Sequence, residues 1–159
     1  MTSRRPWLLL ICALAAALLT ACGNQGTPAG KKVSPVTLLK FSRTGGLAGS
    51  KVAGTVTFSA NHAYVDAEGF PYRRELSSQE RKQLLADAEA ADFSAAPGKA
   101  ATVPDAYQFE ITVTTEDGRS RSLSFGENSE DRLKQASPAA SRLAAWVQQE
   151  IMAISIRRI

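Results

Sequence analysis

Cys22 is the residue whose surroundings most clearly indicate a chemical reaction. It follows Leu19, Thr20 and Ala21, a branched apolar residue and two small ones that let a signal peptidase approach the backbone. This is the pattern of a bacterial lipobox, in which the cysteine thiol takes a diacylglycerol and everything before the cysteine is removed. The sequence therefore predicts a signal peptide over residues 1–21 and lipidation of Cys22.

The residues before Cys22 supply the other parts of an export signal. Arg4 and Arg5 give a positive start, and residues 6–18 are an uncharged apolar run too short to span a bilayer. The alternative is an ordinary secretory signal with an incidental cysteine, and both the general and the twin-arginine export routes stay open.

Stable anchoring takes two acyl chains or more, such as palmitate. Gly23 is not the aspartate of an inner-membrane retention signal, so we expect a lipoprotein of the cell membrane or outer membrane that faces outward or into the periplasm.

Composition limits what the rest of the chain can do. Of the 159 residues, 138 remain after residues 1–21 are removed; residues 22–34 are predicted to be the lipidated cysteine and a flexible tether, and 35–159 a single domain. The signal holds two of the 19 basic residues and none of the 15 acidic ones, which leaves 17 against 15 and a net charge of +2. We therefore expect no nucleic acid partner. Cys12 is lost with the signal and Cys22 is lipidated, so the domain has no disulfide.

Few side chains remain for catalysis or metal binding. His62 is the only histidine, so there is no histidine cluster, and a serine or cysteine triad would need His62 itself as its base. We expect this loop histidine to be exposed and assign it no role. Glu80, Asp87 and Glu89 are predicted to form a solvated helix face. The protein is therefore expected not to be an enzyme, with no cofactor and no metal ion of its own.

Two strands joined by a glycine-rich loop begin the domain. Residues 36–43 are rich in β-formers, and residues 51–59 alternate apolar and polar side chains. The loop 44–50 has three glycines and is too long for a two-residue hairpin, so it can project from the sheet. Leu47 at its tip either folds back over the sheet edge or binds a partner. Residues 63–66 could add a short third strand.

A helix is predicted in the middle of the chain. Ser77 and Glu80 have the spacing of a capping box, in which each residue bonds the backbone amide of the other. Leu84 and Ala88 then share one face at helical spacing, and the pattern ends near residues 92–93. The helix is therefore expected to pack this face on the sheet.

A hairpin and a second helix complete the domain. After a flexible loop over residues 98–105, residues 107–114 alternate clearly, and residues 117–118 form a preferred hairpin turn. Ser137 is the predicted N-cap of a last helix over 138–154, whose apolar stripe consists of Leu143, Val147, Ile151 and Ile154, with Trp146 beside it. A tryptophan on such a stripe is expected in the core.

The order of these elements predicts an α+β domain, an antiparallel sheet of about four strands with two helices packed on one face. Residues 126–135 are predicted to be a polar connection between the hairpin and the last helix. The glycines of the loop 44–50 lack the spacing and the following helix that phosphate binding requires.

Four short motifs follow one another along this domain: Arg43-Thr44-Gly45-Gly46-Leu47-Ala48-Gly49, Ala90-Ala91-Asp92-Phe93, Pro104-Asp105-Ala106-Tyr107-Gln108-Phe109 and Asp117-Gly118. In that order they resemble the emfourin-type inhibitors of protealysin, a thermolysin-like zinc protease. The resemblance covers residues 36–154. The lipoprotein signal and residues 61–72 depart from the family.

The resemblance implies how the chain would act. A thermolysin-like protease holds zinc with two histidines and a glutamate and leaves one position open, which an inhibitor carboxylate could fill. Asp105 is the candidate, because Pro104 restricts the backbone before it and lowers the cost of ordering; Leu47 would enter an apolar substrate pocket. Asp105 could instead bond its own loop. The protease-binding residues that the resemblance implies are Arg43, Gly45, Gly46, Leu47, Asp105 and Tyr107.

The two loops can act together only if residues 36–43 and 107–115 are neighbouring strands, which we state as a hypothesis. Arg43 could also simply end its strand in solvent. The partner expected from the resemblance is a thermolysin-like metalloprotease, bound by a monomer held to the membrane through Cys22.

Two other classes of function compete with the inhibitor. An envelope lipoprotein that binds or scaffolds another protein would have an exposed apolar patch on the sheet or on a helix face. An enzyme would need a carboxylate mechanism, and no two acidic residues are placed for one without tertiary contacts.

Overall fold

The chain folds into an antiparallel sheet with helices against one face, so the predicted α+β class is confirmed. The computed structural model describes residues 34–46, 49–95, 106–127 and 129–157. The strands are β1 Val36–Thr44, β2 Val52–Phe58, β3 Ala63–Ala67, β4 Arg73–Glu75, β5 Gln108–Thr115 and β6 Ser120–Gly126. The helices are α1 Ser78–Ala90, α2 Glu130–Ala136 and α3 Pro138–Ile156, with a short 3-10 turn at Phe93–Ala95.

The strand register separates a buried face of the sheet from an open one. The strands lie in the order β4-β3-β2-β1-β5-β6, and every neighbouring pair is antiparallel. On one face Leu39 of β1 lies opposite Val56 and Val113, and all three are fully buried. The next residue, Lys40, points to the other face and is exposed. This alternation is typical of an antiparallel sheet that packs on one side only.

The last helix covers the centre of the buried face. The predicted stripe is confirmed, because Leu143, Val147, Ile151 and Ile154 are all buried. Trp146 is partly buried against the core, and its ring meets that of Phe41 edge to face with centroids 6.0 Å apart.

The predicted starts of both long helices are confirmed. The Ser77 hydroxyl accepts a hydrogen bond from the Glu80 amide at 3.2 Å, and the Glu80 carboxylate accepts one from the Ser77 amide at 2.9 Å. At α3 the Ser137 hydroxyl accepts from the Ala140 amide, and Pro138 occupies the first turn, where its missing N–H costs nothing. Local sequence therefore sets where both helices begin.

The sheet has six strands, so the expected number of about four was wrong. The short third strand that residues 63–66 indicated is present as β3, and β4 then pairs with it along the sheet edge. β4 has only three residues, too few to show an apolar alternation. The prediction of a polar connection over residues 126–135 was also wrong, because most of it forms α2, in which Leu133 is buried.

Asp87 contradicts the predicted solvated face of α1. Its residue exposure is 4%, and the Arg142 guanidinium donates to its Oδ1 from Nε at 2.8 Å and from Nη2 at 2.6 Å. The partner lies on α3, so the helix spacing of α1 alone could not show it. This ion pair joins the two long helices.

A second buried carboxylate, Glu150 of α3, ties the helices to the edge of the sheet. Tyr72 donates its hydroxyl to Glu150 Oε1 at 2.7 Å, and Arg74 donates Nη2 to Oε2 at 2.6 Å. Arg74 also donates Nη1 to Glu80 at 2.8 Å. The hydrogen bonds that Arg74 donates to Glu150 and Glu80 raise its pKa despite its burial. The arginine therefore stays charged and links β4 to α1 and α3.

Acid is expected to weaken this link through Glu80. The hydrogen bond from Arg74 is the main reason that the pKa of Glu80 falls from 4.5 to about 2. A lowered folded-state pKa contributes stability that is present above the ordinary pKa and is lost as pH falls through the folded one. In Glu80→Gln, which keeps an oxygen for the capping box, we expect a smaller fall of the urea midpoint between pH 5 and pH 2 than in the wild type. Glu89→Gln, an exposed position of α1, is the control, and an equal effect of both variants would contradict the assignment.

Candidate functional site

The end of β1 and the start of β5 lie side by side, so the predicted adjacency of these two strands is confirmed. Arg43 pairs with Phe109 and Thr44 with Gln108 in the antiparallel register. The chain therefore leaves β1 and enters β5 at the same end of the sheet, which brings the bases of the two predicted loops together. Leu47 and Asp105, the predicted contact residues of those loops, lie outside the described residues, and so does Cys22.

Gly45 and Gly46 turn the chain tightly against β5. Their φ angles are +110° and +80°, a region that residues with a side chain rarely adopt. A Cβ on Gly45 would lie 2.4 Å from the carbonyl oxygen of Ala106, and one on Gly46 would lie 2.8 Å from the Tyr107 ring. The first turn of the loop therefore requires glycine at both positions.

Arg43 lies across the Tyr107 ring and does not end its strand in solvent. Its Cζ atom is 4.4 Å from the ring centroid, a cation–π contact, and its Nη2 lies 3.5 Å from the Ser155 hydroxyl of α3. The Nε atom is shielded from solvent without a hydrogen-bond partner among the described residues. Within that part of the chain Arg43 forms no ion pair with a carboxylate. The side chain is half-buried and makes no salt bridge in the part of the chain that the structure describes.

A groove of about 420 Å³ opens beside this arginine, between the sheet and the end of α3. Its apolar and aromatic lining consists of Tyr107, Phe109, Ile151, Met152 and Ile156, and its polar lining of Arg43, Glu127, Gln148 and Ser155. Glu127 makes no salt bridge with Arg43. Met152 and Ile156 are 63% and 64% exposed, and they are the large hydrophobic residues that the described chain leaves most open to solvent. They are four residues apart and so share one side of the helix.

Met152 and Ile156 were not among the residues predicted to bind a partner, although the sequence contains a signal for them. The buried stripe of α3 passes through Ile151 and Ile154. Met152 and Ile156 fall beside that stripe, where an amphipathic helix normally places polar residues. Apolar residues in such positions indicate a contact surface, but only the fold shows that they lie next to Arg43.

His62 lies away from this groove, at the sheet edge formed by β3 and β4. Its Nδ1 atom is in hydrogen-bonding contact with Glu75, and its ring stacks on Tyr64 with centroids 6.1 Å apart. The side chain is 57% exposed, as expected for a loop histidine. Its contacts are explained by the edge hairpin alone.

Three further findings concern the chain as a whole. Among the described residues, no group of three or more His, Cys, Asp or Glu side chains is arranged to hold a metal ion. No helix in that part of the chain is long and apolar enough to cross a membrane. No protein-family model, curated protein or solved structure matches the chain. Its function must therefore be inferred from its own residues.

Proposed function

We propose that this chain is a lipid-anchored, non-enzymatic inhibitor of a thermolysin-like zinc metalloprotease, which it blocks with the loops 44–50 and 98–105. The observation that carries the proposal is the pairing of β1 with β5, which places the end of β1, where the loop 44–50 begins, beside the start of β5, where the loop 98–105 ends. Two loops with adjacent bases can enter one cleft together. A rigid base also lowers the entropy that binding must overcome.

The glycine turn and the arginine stack supply that rigid base. Gly45 and Gly46 fit against Ala106 and Tyr107 so closely that a methyl group at either glycine would clash. Arg43 holds the same tyrosine from the side of the helix. The start of the loop 44–50 is thus tied to the chain that follows the loop 98–105, which favours a common target over two separate roles.

The mechanism follows from the chemistry of the target. The zinc of a thermolysin-like protease has an open position for water or substrate, and the Asp105 carboxylate is the proposed ligand that fills it. Leu47 is proposed to occupy the apolar substrate pocket. The anchor on Cys22 would keep the inhibitor at the membrane surface, and two or more acyl chains suffice for that.

One observation favours the second candidate, an envelope lipoprotein that binds another protein. That alternative calls for an exposed apolar patch on the sheet or a helix, and Met152 with Ile156 makes a small one on α3. The patch adjoins the loop bases, so it is also consistent with an inhibitor. Direct measurement of inhibition separates the two functions.

The test titrates residues 23–159, without the predicted signal and lipidated cysteine, into thermolysin-like proteases that include one from the same organism. We expect stoichiometric inhibition by the wild type and at least tenfold weaker inhibition by Asp105→Ala and by Leu47→Ala, because each change removes one proposed contact with the active site. Thr102→Ala is the matched control in the same loop and should inhibit like the wild type.

Absence of inhibition with every such protease would reject the proposal and leave the envelope-binding function. Inhibition that neither loop variant weakens would show a different binding surface.

A further inference from the structure

The groove beside Arg43 combines an apolar wall, formed by Met152 and Ile156, with a guanidinium that has no carboxylate in salt-bridge contact among the described residues. Met152 and Ile156 leave nearly two thirds of their surface in solvent, whereas their neighbour Ile151 is buried and fixes the helix to the sheet. Large apolar side chains in solvent at neighbouring positions are typical of a contact surface. The wall is therefore available to a partner without rearrangement of the core.

The floor of the groove is rigid. Phe109 is 7% exposed, and its ring stacks on that of Phe125 with centroids 5.1 Å apart. Tyr107 is fixed between Gly46 and the Arg43 guanidinium. Because these groups are already ordered, a partner would lose little free energy in ordering them on binding.

Arg43 determines the chemistry of the partner. A guanidinium group is a strong donor to carboxylates, and none from the described residues pairs with Arg43. Its stack on Tyr107 keeps it at the groove instead of extended into solvent. A carboxylate next to an apolar side chain would complement both the charge and the wall.

We propose that this groove is a second docking surface for the protease, and that it binds a segment of the enzyme carrying an apolar side chain beside an acidic one. The inference rests on the proposed inhibitor function, because the groove adjoins the start of the loop 44–50 and the end of the loop 98–105. It adds a contact outside the active site, which would select one protease among several with the same zinc chemistry.

The position of the groove favours a protein over the membrane as its occupant. The groove adjoins the end of β1 from which the loop 44–50 leaves, so a surface that covers the groove also lies close to that loop. A contact of the groove with the bilayer would press the loop bases against the lipid and away from a soluble enzyme.

The test compares the wild-type chain 23–159 with the double variant Met152→Ser/Ile156→Ser as inhibitors of thermolysin-like proteases. We expect the double variant to raise the inhibition constant at least tenfold, mainly through faster dissociation, because it removes the apolar contact. Both side chains are exposed, so the variant should fold, which its thermal unfolding will check. Ala145→Ser, an exposed position earlier in α3, is the matched control.

A second variant tests the charge. Arg43→Gln should weaken inhibition about tenfold and reduce its dependence on salt, since it removes the attraction to the acidic residue. Arg119→Gln, which removes a charge at the β5–β6 hairpin, should change neither. If both groove variants inhibit as strongly as the wild type, the docking surface is rejected and the inhibitor function stands. Failure of the wild type itself to inhibit would overturn both.

Discussion

Glu150→Ala is expected to lower the free energy of unfolding by about 3–5 kcal/mol, the cost of breaking a buried ion pair from one side. The Glu150 side chain is 6% exposed and accepts hydrogen bonds from Tyr72 and Arg74. Its removal leaves the Arg74 guanidinium without its closest carboxylate, and the Tyr72 hydroxyl without its acceptor. Urea unfolding followed by circular dichroism measures the difference.

Two further variants make this result interpretable. Gln149→Ala changes the exposed neighbour on the same helix and should cost less than about 0.5 kcal/mol. Glu150→Gln keeps an acceptor for Tyr72 and loses only the charge. Its loss in free energy of unfolding should therefore lie between those of Glu150→Ala and Gln149→Ala. Burial and the hydrogen bond to Glu150 both raise the pKa of Tyr72, and in Glu150→Ala its titration should move back towards the ordinary value. If Glu150→Ala lowers the free energy of unfolding no more than Gln149→Ala does, the hydrogen bonds of Glu150 with Tyr72 and Arg74 do not hold β4 in place.

Gly45→Ala is expected to cost about 3 kcal/mol, at the upper end for a residue forced into a sparsely populated backbone conformation. The φ of +110° lies beyond the left-handed region that alanine tolerates. The new Cβ would also meet the Ala106 carbonyl oxygen, a backbone atom that cannot move without shifting β5. Because this clash lies at the bases of both loops, we expect inhibition to weaken more than tenfold as well.

Gly49→Ala is the matched control in the same loop. Its φ of +59° is within the left-handed region, and a Cβ there meets no described atom within 4 Å. We expect a cost of about 1 kcal/mol and no change in inhibition. Equal costs for the two variants would show that the contact between Gly45 and Ala106 is not a constraint on the fold.

Elements with a strong local pattern could be predicted from the sequence. The alternation from residue 107 onwards identified β5, and the Ser77 and Ser137 caps placed the starts of two helices, because caps and alternation depend on neighbours within a few residues. β4 and α2 could not be found in this way. Each is too short to show a period, and each is held by contacts with distant parts of the chain, as Arg74 and Leu133 illustrate.

The candidate site was only partly predictable for the same reason. The motifs indicated Arg43 and Tyr107, and the order of elements suggested that their strands are neighbours. The stack of the two side chains, and the position of Met152 beside them, depend on how α3 crosses the sheet. Asp87 shows the same limit, since its partner Arg142 is 55 residues away.

The central position of β1 has a mechanical consequence for an anchored binder. If the membrane holds the chain before Val36 and a captured enzyme holds the loops after Thr44, any pull between them runs along this one strand. β1 is paired with β2 on one side and with β5 on the other, and its hydrogen bonds lie across the direction of pull. The bonds on both sides would carry the load together, so β1 would resist being drawn out of the sheet better than an edge strand such as β6.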